Sequence, residues 1–123
     1  MVENPWPDFA KGNRRTIKTI LTEMGSGISE KTGDAIKFQV QTIPDGKGVF
    51  KHNCSLYIPS MYYQYPFMTV THPISMFPVT TQSDVFGQPV VSKTETEFTD
   101  ILKQIFSSDS TKTVVEQLLD AAN

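Results

Sequence analysis

The chain has 123 residues and a mass of 13.8 kDa, the size of one domain and too short for two. Eleven Lys and Arg against thirteen Asp and Glu leave a net charge of −2, which argues against nucleic-acid binding by phosphate neutralisation, since that needs a basic surplus. No apolar run approaches the ~18 residues of a membrane span, no signal-peptide core is visible, and the single cysteine, Cys54, excludes an internal disulfide and points to a reducing, cytoplasmic setting.

Residues 1–12 read as an N-terminal arm, because Pro5 and Pro7 discourage helix; residues 13–123 read as a single α+β domain. Ile17, Ile20, Leu21, Met24 and Ile28 share one face of a helix, with Asn13 as its expected N-cap. Gly25 and Gly27 weaken its second half, so the helix either breaks near Met24 or runs towards Gly33. The period then becomes two. Ile36, Phe38 and Val40 alternate with Lys37, Gln39 and Gln41, and Phe50, His52, Cys54, Leu56 and Ile58 alternate with Lys51, Asn53, Ser55 and Tyr57. The turn residues Pro44-Asp45-Gly46-Lys47-Gly48 between these runs predict an antiparallel hairpin.

Tyr65 to His72, closed by Pro73, predicts a third strand and Phe77 to Thr81 a shorter fourth; Val85 to Val91 reads as loop or edge fragment. Thr94-x-x-Glu97 fits a helix capping box, and Ser92-x-x-Glu95 offers the same chemistry slightly earlier. Phe98, Ile101, Leu102, Ile105 and Phe106 form one apolar stripe. Ser107-Ser108-Asp109-Ser110 interrupts it, and Val114, Val115, Leu118, Leu119 and Ala122 supply a second. The order α-β-β-β-β-α-α implies an α+β fold with helices packed on one face of an antiparallel sheet.

Chemistry is sparse. Gly25 to Thr32 lies one residue from a phosphate loop, but Glu30 replaces the glycine that must approach the phosphates, and the segment follows a helix where that loop follows a strand. His52 and Cys54 share a strand face, and His72 is placed to meet His52 across the sheet; together they are the candidate ligand, metal or hydrolytic site. The plainer reading is a buried, hydrophobe-like cysteine beside a histidine at the core margin. Lys11, Arg14, Arg15 and Lys18 form a small basic cluster, best explained as a solvated helix face. No catalytic residue, metal ligand set or cofactor motif is assigned.

Charge distribution is the sharper clue. Residues 1–51 carry eight basic and six acidic groups, residues 93–123 three and six, and residues 52–92 only Asp84. That neutral stretch holds five prolines and all four tyrosines. Its expected outer positions are Asn53, Ser55, Tyr57, Thr69, Thr71 and Thr81, where a solvated sheet face normally carries charge. Depletion of charge with enrichment in Tyr, Phe and Met is the composition of interface cores. Tyr57, Met61, Tyr62, Tyr63, Tyr65, Phe67 and Met68 are therefore the candidate interface residues, for a protein partner or for self-association.

The run Ser55-Leu56-Tyr57-Ile58-Pro59, then Tyr65 to His72, Phe77-Pro78-Val79 and Glu97 to Leu119 resembles a group of small uncharacterised bacterial proteins. These share a YLxxPxxxxYRYxLFxVxH…YPV core followed by EEFxxxLxxIxSSxxTxxVIxxLL. The resemblance spans roughly residues 17–120 and departs at Gln64, where the group carries a basic residue. It implies one bacterial domain and brings no activity or catalytic residue with it. The expected function is a non-enzymatic protein-interaction module, in one form a homodimer, using residues 52–81, with a ligand site near His52, Cys54 and His72 as the alternative.

Overall fold

The computed structural model describes residues 3–9 and 15–122. Asn13, the expected cap, lies outside the described residues, as do Lys11 and Arg14 of the basic cluster. Thr16 opens the first helix instead, α1 (Ile17–Gly25), and its hydroxyl accepts the Thr19 N–H at 3.1 Å. The helix ends at the glycine pair, and after Ser26 a short second helix, α2 (Gly27–Lys31), turns away. At Gly25 a Cβ would lie inside the Phe38 ring, so glycine is what lets the helix rest directly on the sheet. Gly33 follows α2 at φ 59°, a left-handed residue just past a helix end.

The hairpin forms as expected: β1 (Lys37–Pro44) pairs antiparallel with β2 (Val49–Ile58). Asp45 organises the turn, its Oδ1 accepting the Lys47 N–H at 2.6 Å and the Val49 N–H at 3.1 Å. A 3-10 turn (Pro59–Met61) leads through Tyr62, at φ 51°, into β3 (Tyr63–Pro73). β4 (Val79–Ser83) and β5 (Val90–Ser92) complete a five-stranded antiparallel sheet in the order β1-β2-β3-β4-β5. Val90–Ser92, expected as loop or edge fragment, is thus a fifth strand, short enough to limit its exposed edge.

One irregularity shapes both faces. Between Cys54 and Ser55 the register with β3 shifts, Cys54 opposing Met68 and Ser55 opposing Pro66. Phe67 is the extra residue of a bulge, which moves the inward set by one position. Met68 is buried, and Phe67 stacks on Phe106 of the helical layer, with centroids 6.0 Å apart. Further along the sheet Thr81, expected to face outward, is fully buried. The alternation of β4 runs from buried Val79, so Thr80 and Gln82 take the outer positions.

Two helices follow, α3 (Glu95–Phe106) and α4 (Asp109–Ala122). Thr94 caps α3 by accepting the Glu97 N–H at 3.1 Å, while the Glu97 carboxylate takes the Lys93 N–H at 2.6 Å. Ser92 is buried in β5 and plays no part in this cap. Ser108 caps α4 through the Thr111 N–H. The apolar stripes of α1 and α3 close over Cys54, Met68, Val70 and Val79 as the main core. Leu118 of α4 closes a second cluster with Ile36, Leu56 and Ile58. Each fully buried Ile, Leu or Phe contributes roughly 1.5–3 kcal/mol before conformational entropy is counted. Among the described residues all the helices lie on one face of the sheet, and none covers the other.

Candidate functional site

Three adjacent strands bring Thr42, His52 and His72 together on the helix-covered face. Thr42 opposes His52 directly, and His72, which opposes Phe50, is the diagonal neighbour of His52. The Nε2 atoms of the two histidines are 2.8 Å apart, with ring centroids at 4.9 Å and planes inclined by 16°. Phe50 stacks on the far side of His72 at 5.6 Å. The Pro73 carbonyl lies 2.8 Å from His72 Nδ1 and can only accept, so that nitrogen carries a hydrogen. With both rings neutral, His72 Nε2 is then an acceptor, His52 Nε2–H donates to it, and the Thr42 hydroxyl donates to His52 Nδ1 at 2.9 Å. All four ring nitrogens are engaged within this chain of hydrogen bonds.

Burial holds His52 neutral: its pKa falls from 6.5 to about 4, first through desolvation and then through the neighbouring His72 and Lys18. Cys54 stands apart from the pair. Its thiol is 1% exposed and pushed up to about 12 by burial, and its one hydrogen-bonding neighbour among the described residues is the His52 carbonyl, 3.9 Å away. Such a thiol is a core side chain rather than a nucleophile. Among the described residues no group of three or more His, Cys, Asp and Glu is arranged to hold a metal ion. The segment resembling a phosphate loop follows helix α1 and opens the five-residue α2, where a phosphate loop follows a strand. Within the basic cluster Arg15 pairs with Glu23 at 2.8 Å on the surface.

The open sheet face has a different character. Gln41, Asn53, Thr69 and Gln82 align in register as one row across four strands. Phe67 and Met68 both pack towards the core at the bulge, between Pro66 and Thr69 of the open face. A trough of about 760 Å³ lies there, lined by that row with Ser55, Gln64 and the 83–89 loop. Gln64 reaches over β2 to Gln39, 2.7 Å away, and forms one wall. The charged side chains at outward strand positions are Lys37 and Lys51, and Asp84 stands at the rim.

The candidate interface residues divide. Met68 is buried, and Tyr65 and Phe67 pack against the core. Tyr57 is half-buried, while Met61, Tyr63 and especially Tyr62, at 87% exposed, crown the β2–β3 end. Sequence reasoning missed Gln41 and Gln82 of the row and Gln88 of the loop beside it. The signal was present as uncharged amides where charge is usual, but the alignment of Gln41 and Gln82 in one row depends on strand register.

Compared with known proteins, the chain matches no family model, no curated protein and no solved structure. Among the described residues no helix is long and apolar enough to cross a membrane.

Proposed function

We propose that this is a non-enzymatic protein-interaction module whose open sheet face docks a protein, in its simplest form a second copy of the chain. The carrying observation is the uncharged row of Gln41, Asn53, Thr69 and Gln82 on a face that no helix covers. Desolvating amides and hydroxyls costs far less than desolvating charges, and they re-form hydrogen bonds across an interface. Tyr62, held at φ 51° and 87% exposed, supports the reading. A left-handed conformation is uncommon for a residue other than glycine, and here it props an aromatic ring into solvent. Tyr57, Met61 and Tyr63 extend this aromatic end.

The proposal includes a cytoplasmic protein of bacterial origin, consistent with a lone thiol, and a partner that is neither nucleic acid nor membrane. The histidine pair carries no second reading here, because its four ring nitrogens are engaged with each other, with the Thr42 hydroxyl and with the Pro73 carbonyl. Native mass spectrometry tests self-association: the expected species is twice 13.8 kDa. Asn53→Lys, which puts a charge in the middle of the row, should raise the dissociation constant at least tenfold, about 1.4 kcal/mol, with an unchanged circular dichroism spectrum. A wild-type monomer at every concentration would refute self-association, and an Asn53→Lys protein that still dimerises would remove the open face from it.

A further inference from the structure

A second concavity lies on the helical side, across the sheet from the open face. It is a cleft of about 240 Å³ between the α1–α2 corner and the α3–α4 corner, floored by Phe38, Leu56 and Phe67 of the sheet. Its walls are Met24, Ile28, Phe106 and Val115. It separates the two core clusters, and Phe38 and Phe67 pack against both. Phe106 meets Phe38 edge-on at 5.8 Å and Phe67 face-on at 6.0 Å, so three rings line one apolar chamber. Phe38, Phe67, Phe106, Met24, Ile28 and Val115 are all only partly buried, so each keeps apolar surface exposed towards the cleft.

The mouth has its own chemistry. Lys31 is the one charged residue lining the cleft; it is exposed and makes no ion pair among the described residues. Thr111, the one hydroxyl in the lining, is already committed, donating to the Ile105 carbonyl at 2.6 Å and accepting from Ser108. Gly27 stands at the entrance with nothing within 4 Å of the place a Cβ would occupy. A larger residue there would reach into open space at the entrance.

We infer that this cleft binds a small monoanionic amphiphile, an alkyl carboxylate of about eight carbons, with its chain among the three phenylalanine rings and its carboxylate on Lys31. The length follows from the volume: 240 Å³ is about eight water volumes at ~30 Å³ each, and a methylene group is of similar size. The anion follows from the single ammonium, a point charge that suits one carboxylate. The interior offers no free hydrogen-bonding group, which disfavours a polar tail.

Calorimetric titration of the full chain with sodium hexanoate, sodium octanoate and 1-octanol tests this. One-to-one binding is expected, tightening about fourfold per methylene between the two carboxylates. Octanoate should bind more tightly than octanol, and Lys31→Met should remove that advantage while leaving octanol unchanged. Gly27→Leu should weaken octanoate at least tenfold. Leucine suits a helix better than glycine, so an undiminished thermal midpoint will show that the loss is not unfolding. Three results would each overturn the inference: no saturable octanoate binding up to about 10 mM, the weak end for a ligand of this size; equal affinity for octanoate and octanol; or undiminished binding in Gly27→Leu.

Discussion

Acidification isolates the buried imidazole of His52. The ring is 3% exposed and keeps its neutral form down to about pH 4, against an ordinary value of 6.5. Unfolding returns it to water and to the ordinary value. Between these limits the unfolded chain binds a proton that the native state does not, so stability falls as pH falls from about 6.5 towards 4; above about 6.5 this group contributes no slope. Over about 2.5 pH units, at about 1.4 kcal/mol each, the loss is about 3 kcal/mol. His52→Leu removes the titration. At neutral pH it also leaves the Thr42 hydroxyl and His72 Nε2 without their partner, a cost of about 1–3 kcal/mol. The stability difference between wild type and variant should therefore shift by about 3 kcal/mol in the variant's favour from pH 7 to pH 4, closing or reversing the gap. Urea unfolding followed by far-ultraviolet circular dichroism at several pH values measures it. Tryptophan fluorescence is a poor probe, because Trp6 is 72% exposed in the N-terminal arm. His72→Leu should keep most of the wild-type slope, since burial outranks the neighbouring ring as the cause. Parallel stability curves for wild type and His52→Leu between pH 4 and 6.5 would refute the reasoning.

Other substitutions probe the scaffold. Gly25→Ala and Gly27→Ala make the same chemical change on either side of Ser26 with opposite outcomes in urea. At Gly25 the new methyl enters the Phe38 ring and should cost about 1–3 kcal/mol, whereas at open Gly27 alanine should add up to about 1 kcal/mol. Thr94→Ala removes the hydroxyl that holds the Glu97 N–H and should cost about 1 kcal/mol, read from the urea midpoint. Thr81→Val should stabilise by about 1 kcal/mol in the same assay, because the Thr81 hydroxyl is fully buried with no hydrogen-bond partner among the described residues.

What the sequence determined by itself is what depends on near neighbours along the chain. Alternation at Ile36–Val40 and Phe50–Ile58 around an Asp-Gly turn specified the hairpin, because strand period and turn geometry act within a few residues. Thr94 was legible as a cap for the same reason, and the apolar stripes from Phe98 onward announced two helices on either side of a serine-rich break. With the hairpin, these local signals were enough to imply an antiparallel sheet with helices on one side. The neutral stretch from His52 to Ser92 was visible too, although not its division into inner and outer residues.

That division belonged to the tertiary structure. A single bulge at Phe67 reverses the phase of β3, turns Tyr65 and Phe67 into the core and opens the trough. Nothing in the local pattern marks it, because a bulge is defined by the strand opposite. Thr81 faces inward and Val90–Ser92 joins the sheet through pairings made across sequence gaps. His52 and His72 lay on strands whose meeting was foreseeable, but register alone set their Nε2 atoms against each other. Side-chain period is carried by the chain; register, and therefore which polar groups end up sharing a surface, is settled only when strands meet.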